Sequence, residues 1–90
     1  MIRIVLDGTQ ISSERVFHEE LSRALGFPSY YGNNLAALRD VLLPDDGRTI
    51  EIAWMNSSSS RQKLGNDFSR IREVLEDLVK ERGNLRVQFL

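Results

Sequence analysis

Residues 66–89, NDFSRIREVLEDLVKERGNLRVQF, predict a helix, its end and a following strand. Asp67 lies near the start of the helical pattern, and Lys80 and Arg82 lie in its last turn, an order of charges that complements the helix dipole. Gly83 suits the position just past a helix end. The apolar stripe of the helix is Phe68, Ile71, Val74, Leu75, Leu78 and Val79, and the alternating apolar residues of the strand are Leu85, Val87 and Phe89.

Two further strands are predicted upstream, at 2–6 and 49–54, where apolar residues alternate again. A helix is expected after Ser12–Ser13, and a second one after Asn33 or Asn34. The serines at 57–60 are expected to cap a short helix that ends at Gly65. The inner face of the second helix is predicted to consist of Leu35, Leu38, Val41 and Leu42.

The predicted order is strand, two helices, strand, two helices, strand. Connections that contain helices are too long for hairpins, so the three strands should run parallel. Right-handed crossovers that move the same way across a sheet leave all helices on one face. The expected fold class is α/β: one domain over residues 1–90, with two layers, a three-stranded parallel sheet and about four helices.

Composition narrows the possible functions. Twelve basic and thirteen acidic residues give a net charge of −1, and the only lysines are Lys63 and Lys80, so a direct nucleic-acid surface is not expected. There is no cysteine, and no apolar stretch approaches the ~20 residues that span a bilayer. The first residues also lack the apolar run of a signal peptide. The protein is expected to be cytoplasmic.

The sequence shows no pattern of residues typical of a catalytic site. The only histidine is His18, which is expected to be a partly exposed helix residue. No spacing of His, Cys or carboxylates predicts a metal site, and no nucleophile elbow or phosphate loop occurs. The protein is therefore predicted not to be an enzyme and to need no cofactor.

Residues 27–42, FPSYYGNNLAALRDVL, place two tyrosines at a helix entrance. Both could close the core, or Tyr30 could anchor an interface, since tyrosine combines a rigid apolar body with a polar tip. The outward face of the second helix is predicted to carry Ala36, Arg39, Asp40 and Leu43, with Asp45 and Asp46 in the loop beyond. A mildly acidic surface of this kind favours a basic protein partner.

The segment PSYYGNNLAALRDVL resembles the signature of the barstar family, intracellular inhibitors of secreted ribonucleases. The resemblance implies a three-stranded parallel sheet packed with helices, and a second helix that enters the ribonuclease active site with the loop before it. It implies a free monomer that forms a 1:1 complex with a secreted or effector ribonuclease. It further implies that Tyr30 lies against a catalytic histidine and that Asp40 enters the phosphate pocket. The other contacts it implies are Gly32, Asn34, Leu35 and one acid of the last helix, Asp77 or Glu76.

Three features depart from the family pattern, one of which is that the aromatic residue expected after the second helix is absent from LLPDDG. Ala36 stands where the pattern has an acid, and Arg39 stands where an aromatic residue usually precedes the aspartate. A rival interpretation is therefore an immunity protein of the same family directed at a toxin that is not a ribonuclease. A small hydrolase or an RNA-binding protein is the remaining alternative.

Overall fold

The structure is a computed structural model that describes residues 1–44 and 46–90. Strands and helices follow one another in the predicted order, and each helical pattern in the sequence corresponds to a helix. The elements are β1 (Ile2–Asp7), α1 (Glu14–Leu25), α2 (Leu35–Leu42), β2 (Ile50–Met55), α3 (Ser57–Leu64), α4 (Asn66–Arg82) and β3 (Leu85–Phe89).

The three strands form one parallel sheet, as predicted, and their order in it is β1-β2-β3. Ile2 lies opposite Ile50, and Ile50 lies opposite Leu85. Each pair of neighbouring strands is thus joined by a crossover that contains two helices. The α/β fold expected from the sequence is confirmed.

One face of the sheet forms the core and the other faces solvent. On β1, Ile4 and Leu6 are buried, whereas Val5 between them is 61% exposed. Arg3 pairs with Glu51 across the open face, at 3.1 Å between Nε and Oε1. Burial that alternates along the strand places the helices on one side of the sheet, which makes the fold two-layered.

Trp54 lies in the core and has no exposed surface. Its ring stacks on Phe17, with centroids 5.2 Å apart and planes within 9°. Its Nε1 donates to Ser60 Oγ at 2.9 Å, and that hydroxyl donates to the Gly8 carbonyl at 2.9 Å. The chain packs so closely here that a β-carbon on Gly8 would collide with the Met55 carbonyl oxygen, so only glycine fits.

The ends of α1 and α4 follow the sequence signals. Ser13 Oγ accepts a hydrogen bond from the Val16 N–H at 3.2 Å, and α1 ends at Gly26 in the left-handed region, with φ 67°. Gly83 ends α4 in the same way, with φ 81°. Local capping chemistry therefore sets both ends of α1 and the C-terminal end of α4.

The prediction for the serine run is wrong in one respect. All four serines lie inside α3, and the residue before the helix is Asn56, with φ 53° and no side-chain cap. The Ser57 N–H instead donates to the Leu90 carbonyl at 2.9 Å, so the chain beyond β3 satisfies the helix start. Ser60, placed in the helix interior, is then free to bind Trp54.

Candidate protein-binding surface

The second helix, α2, turns one apolar face to the core and a mixed face to solvent. Leu38 and Leu42 are buried, whereas Ala36, Asp40 and Leu43 are exposed. This division agrees with the predicted helical spacing. Leu35, expected both on the inner face and at the contact, is half-buried at the start of the helix. Val41, predicted on the inner face, is half-buried as well.

Asn34 is the residue that starts α2. Its Oδ1 accepts a hydrogen bond from the Ala37 N–H at 2.7 Å, and its backbone is extended, with φ −140°. Asn33 instead adopts the left-handed region, with φ 52°. Gly32 is exposed, and its φ does not lie in the left-handed region.

The two tyrosines before α2 point in different directions. Tyr30 is 84% exposed, whereas Tyr31 is half-buried against Phe27, with ring centroids 4.8 Å apart. The Tyr31 N–H donates to the Pro28 carbonyl at 2.9 Å, which closes a turn around Tyr30. Tyr31 thus closes the core, and Tyr30 is left as a large aromatic side chain on the surface.

His18 joins this loop to α1, and the expectation of a partly exposed residue is wrong. Its side chain has no exposed surface. Nδ1 lies 2.6 Å from the Tyr31 hydroxyl, and Nε2 lies 3.0 Å from Glu14 Oε2. Burial lowers the pKa of His18, against the opposing effect of Glu14. Burial, with a smaller contribution from the charge of Glu14, also raises the pKa of Tyr31.

The exposed face of α2 meets α4 at an ion pair. Arg39 Nη2 donates to Glu81 Oε2 at 2.9 Å. Asp77 lies one helical turn before Glu81 and is exposed. Glu76 faces away from α2: it approaches Arg72 at 3.6 Å and lines a groove of about 410 Å³ along β3. Of the two acids considered from the sequence, Asp77 is the one on the α2 side of α4.

Arg82 fastens the far end of α2. Its guanidinium has no exposed surface, although the sequence indicated only a charge near a helix end. It donates to the Leu42 carbonyl at 2.9 Å, to Asp46 Oδ1 at 3.0 Å, to the Arg48 carbonyl at 2.9 Å and to Asn84 Oδ1 at 2.6 Å. The pKa of Asp46 is lowered, chiefly by the Arg48 N–H and with contributions from the charges of Arg48 and Arg82. Asp45, a predicted contact residue, lies outside the described residues.

Most of the predicted contact residues are thus exposed on the loop before α2, on α2 itself or on α4. We define the docking surface as the exposed residues Tyr30, Gly32, Ala36, Asp40 and Leu43 together with Arg39, Asp77 and Glu81 at its α4 border. Within residues 1–44 and 46–90, no hydrogen bond or ion pair holds the carboxylate of Asp40 or Asp77. These two acids are available to a partner.

No metal centre accompanies this surface in the part of the chain that the structure describes. No three His, Cys, Asp or Glu side chains there converge closely enough to hold an ion. Among the described helices, none combines the length and apolar character needed to cross a bilayer.

Three residues of this region were missed from the sequence. The sequence did indicate burial of His18, because this residue follows Phe17 on the apolar stripe that continues to Leu21 and Leu25. No sequence pattern indicated the contacts of Glu81 and Arg82, since their partners Arg39 and Leu42 lie about forty residues earlier in the chain.

Comparison with known proteins shows the family of the chain. A family described as "Barstar (barnase inhibitor)" matches the chain over residues 1–90. A protein of Bacillus subtilis (strain 168), named "Putative ribonuclease inhibitor YrdF", is 32% identical over 81 residues, which cover 90% of this chain and 89% of that protein. The match spans the sheet, all four helices and the docking surface. The chain belongs to the barstar family.

Proposed function

We propose that this protein inhibits a microbial ribonuclease by covering its active site with α2 and the loop before it. One observation carries the proposal: Tyr30 and Asp40 are exposed next to side chains that fix the loop and the helix from behind. Tyr31 is bound to His18, and Leu38 is fully buried. The surface is thus held in place before binding, which lowers the entropic cost of association.

Asp40 is the proposed substitute for a substrate phosphate. A ribonuclease active site gathers cationic side chains around the scissile phosphate, and a carboxylate can accept their charge-assisted hydrogen bonds. No intramolecular partner of Asp40 within the described chain has to be displaced first. Tyr30 would supply apolar contact area beside it, in the manner of interface anchors rich in tyrosine.

The remaining contacts are assigned to the rim of the same surface. Gly32 and Asn34 follow Tyr30 along the chain, and Leu43 is 39% exposed at the end of α2. Asp77 adds an acid from α4. The family relationship and the name of the Bacillus subtilis protein support a ribonuclease as the partner, in a 1:1 complex without direct contact to nucleic acid.

The proposal is tested with barnase, the enzyme named in the family description. Inhibition of RNA cleavage and the heat of binding are measured for the wild type and for Asp40→Ala. The variant should lose roughly 2–5 kcal/mol of binding free energy, a range carried over from charged pairs of the barnase–barstar complex. Its free energy of unfolding should change little, because Asp40 is exposed.

Glu51→Gln is the matched control. It removes one carboxylate from the open face of the sheet, where Glu51 pairs with Arg3, so it should bind like the wild type. Equal affinity of Asp40→Ala and wild type would rule out phosphate mimicry. A wild-type protein that does not inhibit barnase at all would contradict the proposal for this class of ribonuclease.

A second candidate function keeps the same surface but changes the target. Ala36 is exposed and offers no carboxylate to a second cationic pocket, and Arg39 adds a cation to the border of the surface. These two features favour a toxin with a less basic active site. A tight partner that has no ribonuclease activity, and whose binding is weakened by Tyr30→Ala but not by Asp40→Ala, would support this alternative.

A further inference from the structure

Arg39 poses an electrostatic problem for the proposed function. Its side chain is 36% exposed on the border of a surface that should approach a cationic active site. Like charges brought together at an interface cost several kcal/mol. Some feature of this chain has to remove the effect of that charge.

Glu81 is positioned to do so. Its Oε2 accepts a hydrogen bond from Arg39 Nη2 at 2.9 Å, and its own side chain is 47% exposed, so the pair lies at the surface of the two helices. Asp40 cannot serve in its place, because consecutive residues of a helix point in different directions. Within the described chain, Glu81 is the only carboxylate bonded to Arg39.

The next residue along α4 makes this pairing rigid. Arg82 is buried and donates to the Leu42 carbonyl, which fixes the end of α2 against the end of α4. Glu81 is therefore presented at a fixed place relative to Arg39. The backbones that carry the two side chains are already fixed relative to each other, so only the side chains themselves have to be ordered for the ion pair to form.

We propose that Glu81 is a specificity-determining residue: it holds the Arg39 guanidinium against α4 and cancels its charge, so that the docking surface presents Asp40 to a basic ribonuclease site without an opposing cation. This proposal rests on the proposed function. It predicts that Glu81 acts through Arg39 and not by touching the partner.

The test is a double-mutant cycle with barnase as the probe. Inhibition constants are measured for the wild type, Glu81→Gln, Arg39→Gln and the double variant. Glu81→Gln should weaken inhibition about tenfold, because it exposes an uncompensated cation. In the Arg39→Gln background the same change should alter inhibition by less than about threefold, since little remains to be compensated.

Glu51→Gln is the matched control. It also removes a carboxylate that is paired with an arginine, but on the open face of the sheet, and should leave inhibition within about threefold of the wild type. All variants should stay folded, because exposed ion pairs contribute little to stability.

Two results would overturn the assignment while the proposed function stands. Glu81→Gln could inhibit like the wild type, or it could weaken inhibition equally with and without Arg39, which would make Glu81 a direct contact. If Asp40→Ala and the wild type both fail to inhibit barnase, the proposed function fails, and the role of Glu81 fails with it.

Discussion

Replacing Arg82 should destabilise the protein and loosen the docking surface at the same time. The guanidinium is buried and donates four hydrogen bonds, of which three join α4 to the end of α2 and to the loop before β2 and one goes to Asn84 just past α4. In Arg82→Met, a side chain of similar length keeps the packing but removes every donor. The consequence depends on which acceptors water can reach.

The Leu42 carbonyl is the acceptor that loses most, because its hydrogen bond is buried. An unsatisfied buried carbonyl costs about 1–3 kcal/mol. The Arg48 carbonyl is partly buried and adds roughly 1 kcal/mol, whereas Asp46, 46% exposed, can be hydrated. Removing a buried charge recovers desolvation energy but also loses the attraction to Asp46; with these two contributions offsetting each other, the net loss should be about 2–4 kcal/mol. That is a large part of the ~5–13 kcal/mol expected for ninety residues.

Urea unfolding followed by the fluorescence of Trp54 measures this loss, since Trp54 is the single tryptophan and is fully buried. Arg82→Lys should fall between wild type and Arg82→Met, because an ammonium cannot reproduce the planar fork of donors. Arg86→Met is the control: it removes an exposed arginine of β3 and should cost less than about 0.5 kcal/mol. A loss below about 1 kcal/mol for Arg82→Met would refute the reasoning.

Three further predictions concern the loop, pH and catalysis. Tyr30→Ala should weaken binding to barnase by about 2 kcal/mol or more and leave the free energy of unfolding nearly unchanged, since Tyr30 is 84% exposed. Unchanged binding in calorimetry together with a lower free energy of unfolding in urea would instead assign Tyr30 to the core. Burial lowers the pKa of His18 in the folded protein, so on acidification the unfolded chain binds a proton at His18 before the folded protein does. The free energy of unfolding should therefore be highest above about pH 6.5 and fall as the pH drops below it. In His18→Gln, the urea-unfolding midpoint should depend less on pH between about 7.5 and 5.5. Purified protein should not cleave RNA, and activity that disappeared in His18→Gln would contradict that expectation.

The fold could be predicted from the sequence because its signals are local. Periodicity located the strands and helices, Ser13 and Asn34 marked two helix starts, and the long crossovers required parallel strands. The sequence indicated in part that Tyr30 and Tyr31 point in different directions, since two adjacent side chains rarely both point inward. Which of the two lies outside depends on the contact between the Tyr31 hydroxyl and His18 Nδ1, and the sequence does not show that contact.

The electrostatics of the surface could not be predicted for a different reason. Arg39 in isolation indicated a charge that opposes a basic partner, and the structure pairs it with Glu81 from another helix. Arg82 looked like a solvated residue at a helix end, yet it is buried. Charged side chains find such partners only after the helices have packed, so no spacing along the chain encodes them. The contact roles of Tyr30, Asp40 and Asp77 remain predictions.

The order of strands also has a consequence for how fast the binding surface forms. Ile2 pairs with Ile50, and Ile50 pairs with Leu85, so every ladder of the sheet joins segments far apart in the chain. The entropy of closing these long loops is lost before their contacts stabilise anything, and chains with many non-local contacts fold more slowly than helical bundles. α2 is a helix of eight residues, too short to be stable by itself in water. The newly made chain should therefore have no docking surface until β1 and β2 have paired. During refolding, inhibition and the burial of Trp54 should then return with the same time constant.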